Sequence, residues 1–191
     1  MNESRSIGIL AYDGVDARSL VGVHDTLTTA ARNGCAIEST VFSLVPSDGV
    51  TADAGIVLVP DDVLIGTPDV VVVPGGRSAA DGDPTPTYPT ELPERLGQLA
   101  DAGATVVGIG TGALALGAGG LLTERVATTA EPFREELARH AASVVEEPVV
   151  PADDVVTAAG PEAALAVARL LLEETCDGEP AERLADGSTV D

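Results

Sequence analysis

The stretch TVVGIGTGALALGA, residues 105–118, decides the fold. It opens with a β-branched run, Thr105 to Ile109, turns sharply through Gly110-Thr111-Gly112, and continues as an Ala/Leu helix, Ala113 to Ala118. A strand that runs directly into a helix is half of a βα unit, and such units build a parallel sheet covered by helices. Working outward, Asp69 to Val73 is almost wholly β-branched and reads as a strand buried on both faces. It ends in Pro74-Gly75-Gly76, and the segment from Arg77 to Thr90 reads as a loop rich in Pro, Asp and Thr.

The rest of the chain alternates in the same way. Ile7 to Tyr12 is predicted as the first strand, followed by an Asp13-Gly14 turn and a helix over Ser19 to Asn33 that Gly34 stops. Ile37 to Val45 is predicted as the second strand, Pro46 to Gly49 as a turn, and Ile56 to Val59 as a short strand at an edge or in a hairpin. Leu92 to Ala102 is a helix ended by Gly103, and Pro132 to His140 is amphipathic. Ser143 to Val150 and Val155 to Thr157 are predicted strands, and Pro161 opens a last helix that reaches Glu174. Residues 1–176 therefore read as one domain and 177–191 as a polar tail.

Composition narrows the function classes. The chain has 191 residues, with 10 Arg, no Lys and 31 Asp plus Glu, for a formal charge of −21. A surface that holds nucleic acid needs clustered cations, so nucleic acid and anionic membranes are excluded as partners. An acidic excess without Lys suits a protein kept soluble in concentrated salt, where the Debye length falls to about 3 Å at 1 M and self-repulsion is screened. The core must be built from Ala, Val and Leu, because the chain has no Trp, two Phe, two Tyr and one Met. Val106 to Leu122 is interrupted by glycines and by Thr111, which makes it a poor membrane span, and the acidic N-terminus is unlike a leader. A cytoplasmic protein is expected. Cys35 and Cys176 are far apart in sequence and form no metal-ligand spacing, so both are read as packing residues, and neither a metal nor a cofactor is expected.

In an open α/β sheet, ligands collect beyond the carboxyl ends of the strands. Asp13-Gly14, Pro74-Gly75-Gly76 and Gly110-Thr111-Gly112 all fall at such ends. The runs VVVPGG (71–76), VVGIGTGALALGAGGLLTERVATT (106–129), VVTAAGPEAALAVARLL (155–171) and ILAYDGVDARSLVGVHDTL (9–27) together resemble the ThiJ/PfpI family of the class I glutamine amidotransferase-like superfamily, closest to its isonitrile hydratase branch. The resemblance covers nearly the whole chain. It implies a flavodoxin-like three-layer α/β sandwich with a mostly parallel central sheet, and a homodimer. The same domain serves as the sensor half of some transcription regulators, although no helix-turn-helix segment follows the last helix here.

Carried over residue by residue, the resemblance locates a site whose chemistry is missing. The family's nucleophilic Cys stands on the elbow, where this chain has Gly110. Its His follows a Thr-Thr pair; here Thr128 and Thr129 precede Ala130. Its carboxylate on the first helix maps to Ser19, its helix Pro to Val23, and the acidic residue two positions beyond survives as Asp25. Covalent catalysis at the elbow needs a thiolate, which glycine cannot supply. What the resemblance leaves is an oxyanion cradle, the N–H groups of Gly76 and Thr111.

The leading expectation is thus a non-catalytic or chemically altered member. It would hold a small molecule, an anion among the options, in a pocket bounded by Ser19, Gly75, Gly76, Arg77, Gly110, Thr111 and Ala130. Arg77 could clamp a carboxylate beside the cradle. The competing expectation is an active hydrolase or lyase with a rebuilt site, in which Thr111 acts with a base drawn from His24, Asp25 or Asp13. His140, closing an amphipathic stretch in which Glu131, Glu135 and Arg139 fall at helical spacing, reads as a residue that favours a helix C-terminus.

Overall fold

A computed structural model of the chain describes residues 4–76 and 88–176. Its main sheet contains β1 (Arg5–Leu10), β2 (Ile37–Ser43), β5 (Asp62–Val63), β6 (Val70–Val73), β7 (Thr105–Ile109), β10 (Val149–Ala152) and β11 (Val155–Ala158), in the order β10-β11-β7-β6-β1-β2-β5. Every pairing in it is parallel except that of the edge strand β10 with β11. Two small ribbons lie outside it: β3 (Val50–Thr51) with β4 (Val57–Leu58), antiparallel, and β8 (Val126–Ala127) with β9 (Ser143–Val144), parallel.

The period-two alternation of β-strands explains why β6 is Val throughout. Val70 and Val72 face one core with Ile7, Ile9, Val107 and Ile109, while Val71 and Val73 face a second core with Leu10 and Val106. The first core is closed by α1 (Ala17–Arg32), through Leu20, Val23 and Leu27, and by α5 (Ala164–Glu173), through Val167, Leu171 and Leu172. The second is closed by α2 (Leu92–Asp101) and α3 (Gly112–Ala118), through Leu92, Leu96, Leu99, Leu114 and Leu116. The result is the three-layer flavodoxin-like α/β sandwich expected from the sequence.

Local differences have physical causes. Asp16 is the N-cap of α1, accepting the Ser19 N–H at 2.7 Å, so the helix begins two residues before the expected start. The Ser143 to Val150 run is not one strand. It breaks at Glu146-Glu147-Pro148 into β9 and β10, which belong to different sheets. The amphipathic stretch shortens to a 3₁₀ turn, Glu131–Phe133, and the four-residue α4 (Arg134–Leu137). The last helix likewise opens with a 3₁₀ turn, Pro161–Ala163, before α5. Ile56 to Val59 does supply the return strand of a hairpin. Most of the expected Arg77 to Thr90 loop and all of the 177–191 tail lie outside the described residues.

The cysteines require a correction. Cys35 and Cys176 are not independent packing residues. They are joined in a disulfide, with Cα atoms 5.5 Å apart across a separation of 141 residues. Cys35 follows α1 and Cys176 follows α5, and those helices lie side by side on one face of the sheet, with Gly22 opposite Ala164. Their C-terminal ends therefore meet, which no spacing in the sequence could show.

Candidate functional site

Strand order reverses between β1 and β6: the chain leaves β1 toward β2 on one side, then returns to place β6 and β7 on the other. This switch point is where an open sheet leaves a crevice at its carboxyl edge. Here the two loops are tied across it. Val15 forms a β-bridge with Gly76, the Asp16 N–H donates to the Gly75 carbonyl at 2.7 Å, and the Tyr12 hydroxyl donates to the Pro74 carbonyl at 2.6 Å. Burial, reinforced by the negative charge of Asp16, pushes the Tyr12 hydroxyl far above its ordinary value, so it remains a donor.

The elbow between β7 and α3 stands beside these loops. Gly110 has φ +57°, the left-handed region that favours glycine, and its N–H donates to the Ala158 carbonyl at 2.8 Å. Among the described residues, a Cβ built on Gly110 comes no closer than 3.6 Å, to the Gly160 Cα, an ordinary van der Waals contact. Gly112 is the opposite case. A Cβ there would lie 2.2 Å from the Val73 carbonyl oxygen, because the first turn of α3 is pressed against the end of β6.

Thr111 turns its hydroxyl onto Gly76. The Gly76 N–H donates to Thr111 Oγ1 at 2.8 Å, and the same hydroxyl faces the Gly76 carbonyl oxygen at 3.2 Å. The expectation of two open cradle donors is therefore corrected: the Gly76 N–H is already satisfied by a side chain of this protein, and the Thr111 N–H is the one that makes no hydrogen bond among the described residues. Behind the elbow, Thr129 Oγ1 donates to the Gly110 carbonyl at 2.8 Å, and the Thr128 N–H donates to Thr157 Oγ1 at 2.9 Å. Thr129 thus braces the elbow from within while Thr128 ties the same segment to β11, roles not legible in the sequence, where the pair served only as a marker for Ala130. Asp16 was missed too, although an Asp directly before a helix is an ordinary capping signal.

The candidate residues separate into two groups. Gly75, Gly76, Gly110 and Thr111 come together at the switch point. Ser19 lies in the first turn of α1, 1% exposed, with a hydroxyl that finds no partner. Ala130 is half-buried, two residues beyond the buried Thr128. Arg77 lies outside the described residues. The three bases proposed for Thr111 go elsewhere. His24 pairs through Nδ1 with Ser39 Oγ on β2, at 3.0 Å, on the side of β1 away from β6 and β7. Asp25 is exposed beside it, in a groove between α1 and β4, and Asp13 accepts the Thr51 N–H at 2.8 Å. His140 lies 4.0 Å from Glu136 and packs its Cβ where Gly117 leaves space. Among the described residues no group of three or more His, Cys, Asp and Glu side chains could hold a metal ion, and no helix is long and apolar enough to cross a membrane.

This fold is that of a known class. The DJ-1/PfpI family matches residues 5–174, and the chain belongs to that family. Among solved structures, an AraC family transcriptional regulator from Pseudomonas putida is 23% identical, with a TM-score of 0.81 over 95% of this chain and 97% of that one. DJ-1beta from Drosophila melanogaster is 23% identical, with a TM-score of 0.81 over 96% and 97%. A THiJ/PfpI family protein from Pseudomonas syringae is 26% identical, with a TM-score of 0.77 over 98% of this chain and 76% of that one. No curated protein matches the chain.

Proposed function

We propose that this chain, one domain over residues 1–176, is a DJ-1/PfpI-family protein, of the isonitrile hydratase-like branch, that has given up cysteine chemistry and binds a small molecule at the elbow. The observation that carries the reading is the Thr111–Gly76 pair beside a glycine at the nucleophile position: there is no attacking atom on the side chain of residue 110, and the Thr111 hydroxyl is hydrogen-bonded to Gly76. Ala130 offers no proton acceptor, and none of the three candidate bases is hydrogen-bonded to Thr111. A ligand would meet Gly75, Gly110, the free Thr111 N–H and the buried Ser19 hydroxyl, with Arg77 next in sequence, and would displace the Thr111 hydroxyl to reach the Gly76 N–H.

The likeness to a Pseudomonas putida structure described as an AraC family regulator supports a second reading, that the pocket senses its ligand for a partner protein. A homodimer is part of the proposal. Val21 and Val59 are exposed at the groove between α1 and β4, which Leu20, Val41 and Leu58 also line.

Two measurements test the reading. Native mass spectrometry of the purified protein should show a bound small molecule that Thr111→Trp, which fills the elbow, expels. Incubation with an isonitrile or with glyoxal should give no turnover above buffer. Turnover abolished by Thr111→Ala would establish the hydrolase or lyase alternative instead.

A further inference from the structure

We propose that Cys35 and Cys176 form a redox-responsive latch that fastens the C-terminal end of α5 to the corner between α1 and β2. Both half-cystines sit just past a helix end and are held by their own helices: the Cys35 N–H donates to the Ala30 carbonyl at 3.1 Å, and the Cys176 N–H donates to the Leu172 carbonyl at 2.7 Å. The bond between them is thus formed by two turns already brought into range by helix packing. A second tie runs alongside it. Arg5 reaches Glu174 Oε2 at 2.9 Å and Thr175 Oγ1 at 3.0 Å, joining the same terminal turn to the start of β1.

Two features make this a latch and not the only thing holding α5 in place. Val167, Ala168, Leu171 and Leu172 are at most 1% exposed against the core, so the helix keeps its apolar seat without the covalent bond. A reduced Cys35, 8% exposed, remains acceptable there, since a free thiol packs as a small hydrophobe. Both redox states are therefore folded, and what differs is the turn after Leu172. The two sulfurs are also unequally placed: Cys35 is buried, whereas Cys176 is only partly so and offers the sulfur that an incoming thiolate reaches.

The co-reactant is a dithiol. Its thiolate attacks Cys176 Sγ, forming a mixed disulfide as the S–S bond breaks, and Cys35 leaves as a thiolate that takes up a proton. The second thiol of the reductant then attacks the mixed disulfide, releasing a cyclic disulfide and the Cys176 thiol. Two electrons and two protons pass from the dithiol to the protein, and a disulfide oxidant reverses the change. Disulfides persist in oxidising compartments and are held open by cytosolic reductants, so the cytoplasmic setting read from the sequence corresponds to the unlatched form.

The test uses the full chain in molar KCl, with and without dithiothreitol. Air-purified protein should show no free thiol under denaturing conditions and gain about 2 Da on reduction, one hydrogen per sulfur. Reduction should leave the circular dichroism unchanged, lower the melting temperature by about 5–15 °C, and raise amide exchange only around residues 34–37 and 173–176. The double variant Cys35→Ala with Cys176→Ser should match the reduced protein and ignore dithiothreitol. Two free thiols in the air-purified protein would overturn the proposal. So would unfolding of the sheet on reduction, an unchanged melting temperature, or a dithiothreitol response that survives in the double variant.

Discussion

Thr111 and Gly76 are joined through one hydroxyl, which accepts the Gly76 N–H at 2.8 Å and lies 3.2 Å from the Gly76 carbonyl oxygen. The contact spans the ends of two adjacent parallel strands, β6 and β7, and satisfies the Gly76 N–H with a side chain of the protein. Thr111→Val keeps the shape of the side chain and removes both contacts. It should lower stability by about 1–2 kcal/mol, since a half-buried peptide loses its partner, while Thr111→Ser should stay near wild type. Guanidinium denaturation in molar KCl measures both, and a neutral valine variant would mean that the hydroxyl holds nothing.

The two glycines that flank Thr111 should respond to the same substitution with losses of very different size. Gly110→Ala makes only an ordinary contact, with the Gly160 Cα at 3.6 Å, and has its left-handed backbone to contend with, a cost of about 1–3 kcal/mol. Gly112→Ala drives a methyl into the Val73 carbonyl at 2.2 Å, and neither backbone can yield without moving α3 off β6. That variant should be insoluble or more than about 4 kcal/mol destabilised, which is beyond the usual range for one substitution. Expression and thermal melts decide between them.

Alkaline stability should depend on Tyr12. Its hydroxyl is raised in the folded protein by burial first, then by the charges of Asp16 and Tyr88. A raised value means that the stabilising contribution is complete below the ordinary tyrosine value of about 10 and is lost as pH rises beyond it, because the unfolded chain ionises there while the folded chain cannot. Unfolding free energies from pH 8 to 11.5 should fall above pH 10. Tyr12→Phe should flatten that limb while costing about 1 kcal/mol at neutral pH through loss of the bond to Pro74.

At the acid end, Asp69 is held below the usual carboxylate range by the backbone N–H and hydroxyl of Ser6. Its contribution is present above about pH 4 and is lost as pH falls through the depressed value. Because Asp69 is exposed, Ser6→Ala should change acid stability only slightly, and a large loss at pH 3 in that variant would contradict this account.

A net charge of −21 on 191 residues should make the melting temperature rise steeply between 0.05 M and 2 M KCl. An unchanged melting temperature across that range would show that the acidic surface is not a device for concentrated salt.

Elements with a strong local pattern were legible from the residues. Asp69 to Val73 and Thr105 to Ile109 read as strands because both are β-branched runs, and a helix was legible over Ser19 to Asn33, following the Asp13-Gly14 turn and stopped by Gly34. Two-residue strands such as Val50–Thr51 and Asp62–Val63 carry no period at all, and they form only where a neighbour offers free hydrogen-bonding groups. The candidate site divides in the same way. Its glycines were visible as turn residues, whereas the closure of Thr111 on Gly76 joins residues 35 apart that meet only because β6 and β7 are adjacent.

The order of residues alone determined that a Val-rich parallel sheet lies between helices and that the surface is acidic, since each follows from side-chain chemistry read locally, whereas the reading of residue 110 as a nucleophile position came from the family resemblance. Tertiary structure decided which distant groups consume one another. The Gly76 donor was taken by Thr111, His24 was drawn to Ser39, and Cys35 was bonded to Cys176. Hydrogen bonds and disulfides act over a few ångströms, and only the packing of strands and helices brings residues so far apart in sequence within that reach.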